Sequence, residues 1–261
     1  MKHKLFDPII HYADGNKIRS TYVNILQKRY NIDPNRVMYV NDTINTIHNC
    51  SLVIDDIQDN ATLRRGKLCS HKLYGIDFSL ASSYLKLFEV LKKSNEDRKI
   101  ITDTLYDMHF GQLQDIMFTK NKTIPTLEKY LEMTKLKTGS LFSLCTRLLV
   151  PKDNDIHKLS VDMGTYYQIK NDIKNLTDSN YWQTNGKYTD IVERRLTFPI
   201  LVALEKDSEL GQIYFECESN EILYNMVMKH NESITNRTIS IASDILQKSN
   251  NLDLDIQSII T

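Results

Sequence analysis

Residues 40, 44, 47, 51 and 54 (Val40, Ile44, Ile47, Ser51, Ile54) recur at spacings of three and four, the rhythm of one face of a helix. Asp33-Pro34 stands just before them. A capping carboxylate followed by a first-turn proline is a helix start, so the pattern predicts a helix running from there to about Gln58. The same rhythm predicts helices over 80–91 and 96–118, one capped by Thr126 after Pro125, one over 139–150 stopped by Pro151, and one over 158–176. Two stretches break it. Residues 60–75 are basic and irregular, and 178–188 are polar, with Gly186 and the only tryptophan, Trp182; both are expected to be loops. Helices then fill most of 191–246. Period-two alternation is nearly absent, so the pattern predicts one all-α domain over 1–261 with no linker.

Composition narrows the picture. Only 8 glycines and 5 prolines in 261 residues exclude turn-rich β architectures and favour long helices. A hydrophobic content of 41% excludes wholesale disorder. Lys+Arg and Asp+Glu are both 33, so there is no global field to attract nucleic acid or an anionic membrane, and any bound anion needs a local cluster. Cys50, Cys69, Cys145 and Cys217 lack zinc-ligand spacing and read as reduced thiols of a cytoplasmic protein. Met1-Lys2-His3 leads into too short a stretch for a signal peptide. The best apolar run, 196–204, is too short to cross a membrane and contains Pro199.

Asp55-Asp56-Ile57-Gln58-Asp59 carries the strongest chemical signal. Asp55 and Asp59 share a helix face, where like charges repel, and they lie near a helix C-terminus, where the macrodipole disfavours anions. Such a cluster is either a solvated helix end or a cation site. Oxygen ligands without His or Cys suit Mg²⁺. Arg64-Arg65-Gly66 follows at once, and arginine pairs grip phosphate oxygens bidentately. Together the two segments imply a magnesium–diphosphate site. His48 lies two turns before Asp55 on the same face.

A second copy of the pattern, Asn171-Asp172-Ile173-Lys174-Asn175, follows Tyr166-Tyr167-Gln168 on a separate expected helix. Two such helices facing each other would clamp one diphosphate through metal ions, with Asp172 as the carboxylate of the second side. Asparagine is uncharged, so this side would bind Mg²⁺ more weakly. Lys137-Thr138-Gly139 adds a cation and a hydroxyl between helices.

The segment His48-Asn49-Cys50-Ser51-Leu52-Val53-Ile54-Asp55-Asp56-Ile57-Gln58-Asp59-Asn60-Ala61-Thr62-Leu63-Arg64-Arg65-Gly66 closely resembles the first aspartate-rich motif of trans-isoprenyl diphosphate synthases, in particular the eukaryotic geranylgeranyl diphosphate synthases. The resemblance continues through residues 109–116 (His109-Phe110-Gly111-Gln112-Leu113-Gln114-Asp115-Ile116), 137–142, 167–172 and 196–200, and covers roughly residues 10–205. It implies an all-α isoprenoid synthase bundle around a central cavity, normally a homodimer. Asp55 and Asp59 would bind Mg²⁺, up to three ions in all, with Asp56 supporting them. Arg64, Lys137, Thr138 and Gln168 would hold the allylic diphosphate, farnesyl diphosphate being the expected primer. Arg19, His48 and Arg65 would hold isopentenyl diphosphate. Small Cys50 and Ser51, one turn before Asp55, would let the chain pass. Leu87, Phe88 and His109 would form the next wall, at a depth suited to geranylgeranyl diphosphate.

The sequence also departs from the family. Gly15-Asn16-Lys17-Ile18-Arg19 has Asn16 where the family has lysine, and Asn171 replaces the leading aspartate of the second motif. A later phosphate lysine falls on Asn185, with Lys187 two residues off, and the next is Arg195, which keeps the charge. Two other readings stand beside a synthase. A terpene cyclase would have no use for the second diphosphate site of Arg19, His48 and Arg65. A catalytically weakened, partner-binding subunit would have no use for an intact Asp55/Asp56/Asp59 with Arg64-Arg65.

Overall fold

The computed structural model describes residues 4–13, 18–252 and 255–260. Two helices, α1 (Asp7–Ile10) and α2 (Ile18–Tyr30), precede the long helix α3 (Pro34–Gln58). Asp33 caps α3 as the sequence predicts, accepting a 2.6 Å hydrogen bond from the Asn35 amide. At 25 residues, α3 is about 37 Å long, enough to cross a domain of this size. It carries the first aspartate motif on its last turn.

Residues 60–75 contain more structure than expected. Leu63–Arg64 (β1) and Lys67–Leu68 (β2) pair antiparallel around a two-residue turn, with Leu63 opposite Leu68. Arg65 and Gly66 both have positive φ, 53° and 76°, as the primed hairpin turns require. A short helix, α4 (Ser70–Tyr74), follows. The strands are two residues long, too short for any alternation to show.

Helices α5 (Ile76–Lys93), α6 (Arg98–Lys120) and α7 (Leu127–Thr134) come next, the last capped by Thr126 as expected. A π-helical turn, Lys135–Gly139, joins α7 to α8 (Ser140–Leu149). Then come α9 (Asn154–Thr177) and α10 (Ser179–Asn185). The stretch 178–188 is therefore not all loop. The Asp178 carboxylate accepts from the amides of Asn180 and Tyr181, and Gly186, at φ 94°, ends the helix. Its polar composition conceals an ordinary cap-and-stop signal. Shorter helices, α11 (Thr189–Val192), α12 (Phe198–Leu204), α13 (Ser208–Ile213) and α14 (Asn220–Met228), lead to α15 (Asn231–Asn251) and α16 (Gln257–Ile260).

The main core lies where α3, α6, α8 and α9 turn their apolar faces together, with Ile47, Ile54, Ile101, Phe142, Leu144, Ile156 and Met163 almost wholly buried. A second cluster holds Ile169 and Leu176 of α9 against α12 and α14. Ile241 of α15 packs against both. Burial of each such side chain stabilises the fold by about 1.5–3 kcal/mol. Among the described residues, no helix is long and apolar enough to cross a membrane.

Candidate active site

The last turns of α3, the π-helical turn and the middle of α9 enclose a cavity of about 540 Å³. His48, Ser51, Asp55 and Asp59 line it from one face of α3, as their spacing predicts. Burial raises the Asp55 carboxyl to about 6, against the pull of Lys137, and Asp59 and Asp56 add to the rise. Across from it, Lys137 Nζ lies 2.5 Å from the Asp115 carboxylate. Burial alone would lower the lysine, but Asp115, Asp55 and Asp59 outweigh it, so Lys137 is held charged. Arg195 bridges to Asp59 at 2.9 Å and to Glu193 at 2.7 Å. Asp59, Asp115 and Glu193 therefore each have a cation beside them.

Asp56 does something different from its neighbours. Only 100° round the helix from Asp55, it turns away from the cavity and is fully buried. It accepts two hydrogen bonds from Arg64 Nε and one from Nη2, at 2.5–2.9 Å, and one from the Tyr12 hydroxyl. The Ser70 amide donates to that hydroxyl at 3.1 Å. Asp56 thus aims Arg64 at the cavity.

The second motif lies opposite, with Tyr167, Gln168, Asn171, Asp172 and Asn175 on the cavity wall. Asp172 accepts from the Tyr130 hydroxyl, from Gln168 Nε2 at 2.8 Å and from the Phe198 amide at 3.1 Å. Asn175 binds the next segment in place. Its Nδ2 donates to Thr189 Oγ1 at 2.7 Å, its Oδ1 accepts from the Asp190 amide at 3.1 Å, and its carbonyl accepts from Trp182 Nε1 at 2.6 Å. That clamp puts Asp190 on the cavity wall, where burial pushes its carboxyl up and nearby Asp172 adds to the effect.

Arg19, His48 and Arg65 line the same cavity and lie within one another's electrostatic reach, with Arg64 beside them. Arg19 is buried, and among the described residues its Nε has no hydrogen-bond partner. Burial, then the charges of Arg19, Arg65 and Arg64, hold His48 well below its usual range, so it is neutral. A neutral imidazole surrounded by guanidiniums is a ready hydrogen-bonding site for an anion. Thr138 also lines the cavity and lies 3.4 Å from Gln168 Oε1.

Besides Asp56, five of the expected site residues do not reach the cavity. Lys187 lies over the rings of Tyr188 and Trp182, at 5.0 and 5.5 Å from their centroids. Cys50 and Leu87 are packed into the core, and His109 is half-buried off the lining. Phe88 follows inward-facing Leu87 by one residue, so it points outward and is 65% exposed. Gly15, Asn16 and Lys17 lie outside the described residues. The sequence reading missed Tyr12, Asp115, Met108 and Asp190. Asp115 had a signal, since it falls seven residues after Met108 on one face of α6. Tyr12 had none, because its partner is 44 residues away in the chain.

Among the described residues, no three His, Cys, Asp or Glu side chains are close enough to hold a metal ion by themselves. A profile of polyprenyl synthetases matches residues 2–231. The chain belongs to that family. It is 34% identical to a geranylgeranyl pyrophosphate synthase of Dictyostelium discoideum, over 78% of this chain and 71% of the relative. It is 35% identical to the geranylgeranyl pyrophosphate synthase idtG of Claviceps paspali, over 72% and 59%. It is 30% identical to a conidiogenone synthase of Penicillium roqueforti, over 82% of this chain but 31% of that longer protein. A crystal structure of a geranylgeranyl pyrophosphate synthase shares the fold, with a TM-score of 0.84 at 20% identity, over 98% of this chain and 88% of the other. The resemblance to eukaryotic prenyl synthases read from the motifs is borne out, as is the all-α fold. The chain is an enzyme of this family, whose substrates are isoprenoid diphosphates.

Proposed function

We propose that the chain condenses isopentenyl diphosphate with an allylic diphosphate, farnesyl diphosphate, to give geranylgeranyl diphosphate, and that Mg²⁺ is required. The observation that carries this reading is that one cavity gathers more basic side chains than one diphosphate needs, in two sets. One is Arg64, Lys137 and Arg195 beside Asp55 and Asp59; the other is Arg19, His48 and Arg65. A single-substrate enzyme has no need of the second.

The donor set fits the metal. Mg²⁺ is commonly held by one or two carboxylates together with substrate phosphates. Asp55 and Asp59 supply oxygen on α3, Asp172 faces them from α9, and diphosphate oxygens and water would complete the shell. When bound, up to three such ions neutralise the diphosphate charge. Lys137, held charged by Asp115, and Arg64, aimed by Asp56, would stabilise the charge that develops on the leaving group. The allylic C1–O bond breaks and its electron pair leaves with the diphosphate. The double bond of isopentenyl diphosphate attacks C1, forming the new C–C bond. A proton is then lost from the adjacent carbon to the released diphosphate, restoring a double bond. Arg19, neutral His48 and Arg65 would keep the second diphosphate in place throughout.

The reading includes a homodimer of one-domain subunits in the cytoplasm. The test is incubation of the protein with Mg²⁺, labelled isopentenyl diphosphate and each allylic diphosphate, with the products sized. Incorporation of label into a longer prenyl diphosphate supports it. Turnover of an allylic diphosphate alone would indicate a cyclase, and no turnover a non-catalytic subunit; either overturns it.

A further inference from the structure

Arg64 spends its Nε and Nη2 on the Asp56 carboxylate, at 2.5–2.9 Å. Its Nη1 makes no hydrogen bond among the described residues, and the side chain lines the cavity. The planar guanidinium is thus held by one edge, and the direction of its free corner follows the plane of the carboxylate. The last torsion of an aspartate side chain has broad wells, so the carboxylate plane is not fixed by the helix that carries it. A donor outside the pair has to fix it, and that donor is Tyr12, whose hydroxyl bonds to Asp56 Oδ2, the oxygen that also accepts from Arg64 Nε.

Tyr12 is itself tightly held. It follows α1, and its ring packs with Leu52 and Val53 of α3, one turn before Asp56. An ionised carboxylate can only accept, so the phenol donates to Asp56 and its own oxygen is left to accept. It does so from the Ser70 amide, at 3.1 Å. The same segment is tied to the hairpin and α4 at further points. Ser70 Oγ donates to the Pro8 carbonyl at 2.7 Å, and His11 Nε2 donates to the Leu68 carbonyl at 2.8 Å. Arg65 Nη1 lies 3.5 Å from the Tyr12 carbonyl oxygen. Residues 8–12 are therefore the seat of the hairpin that carries Arg64 and Arg65.

We propose that Tyr12 is a positioning residue for diphosphate binding: through Asp56 its hydroxyl fixes the plane of the Arg64 guanidinium, and so the corner that Arg64 offers to the anion. This rests on the diphosphate-holding role proposed for Arg64 above. Tyr12 is not on the cavity wall and acts only through its neighbours.

The experiment is a double-mutant cycle of Tyr12→Phe and Arg64→Gln, read as the affinity for inorganic diphosphate in the presence of Mg²⁺ by titration calorimetry, with circular dichroism as the check on folding. Phenylalanine keeps the packed ring and loses only the hydroxyl. Glutamine keeps a donor for Asp56 but has no charge for the anion. Tyr12→Phe is expected to weaken diphosphate binding about tenfold, the scale of one hydrogen bond to a charged group. It should do so only while Arg64 is present, so that adding it to Arg64→Gln changes nothing further. A loss of the same size in both backgrounds would make Tyr12 a structural residue and overturn the assignment, as would unchanged binding or an unfolded Tyr12→Phe. Wild-type protein that binds no diphosphate would overturn the role of Arg64 itself, and the assignment with it.

Discussion

Asp55 and Asp56 are adjacent and chemically identical, yet the helix gives them opposite surroundings. Asp56 is buried and satisfied by Arg64 and Tyr12, whereas among the described residues the Asp55 carboxylate has no hydrogen bond and faces the cavity. Burial raises Asp55 to about 6, so in the metal-free protein its charge works against folding above that pH. Protonated Asp55 carries no such penalty, and below its unfolded-state value of about 4 the carboxyl is neutral in both states. Asp55→Asn is therefore expected to raise the melting temperature of metal-free protein at pH 7. The gain should shrink as pH falls through about 6 and vanish near 4, and turnover should drop by orders of magnitude, since metal stabilisation is worth several kcal/mol. Thermal melts across pH check the first part; a destabilised Asp55→Asn at pH 7 would mean that the carboxylate has a structural partner. The Asp-x-x-x-Asp spacing made the Asp55/Asp59 face legible in the sequence. The role of Asp56 was not, because Tyr12 and Ser70 reach it only through the fold.

At the scale of elements, helical rhythm and caps placed the long helices well, since Asp33, Thr126 and Pro151 are local signals. The hairpin at β1 and β2 and the helix α10 were missed because two-residue strands and polar helices leave no periodicity. The π-helical turn was also hidden. It depends on a close approach across the fold, with Gly111 of α6 against the backbone of Lys137 and Met133. Gly111→Ala puts a methyl group 2.5 Å from the Lys137 amide and 2.9 Å from the Met133 carbonyl oxygen, and backbone cannot yield as a flexible side chain can. Overpacking of this kind costs about 1–3 kcal/mol, so a lower denaturation midpoint is expected. Lys137 should move with its turn, so kcat should fall as well. A variant with wild-type stability and kcat would show that the turn is pliable and that Lys137 does not depend on it.

At the scale of the whole molecule, α5 and α6 leave an apolar face to solvent. Leu85, Phe88, Tyr106, Phe110, Leu113 and Met117 are 42–69% exposed, and Tyr106 and Phe110 stack with nearly parallel rings. Exposed aromatic patches of this extent mark interaction surfaces. In the proposed homodimer this face would meet its copy, and exposed Phe88 would belong to that contact. Phe88→Asp with Tyr106→Asp should convert a dimer to a monomer in analytical ultracentrifugation while leaving helicity unchanged. A monomeric wild type, or a variant that remains dimeric, would rule this face out.

The central claim is that two diphosphates are held together in one cavity and joined. Its most direct test is incorporation of labelled isopentenyl diphosphate into product, measured with and without farnesyl diphosphate, with and without EDTA, and for Asp55→Ala beside the wild type. The account predicts label in geranylgeranyl diphosphate only when both substrates and Mg²⁺ are present, and almost none for folded Asp55→Ala. Incorporation that survives EDTA or Asp55→Ala, or its absence from the wild type under complete conditions, would contradict it.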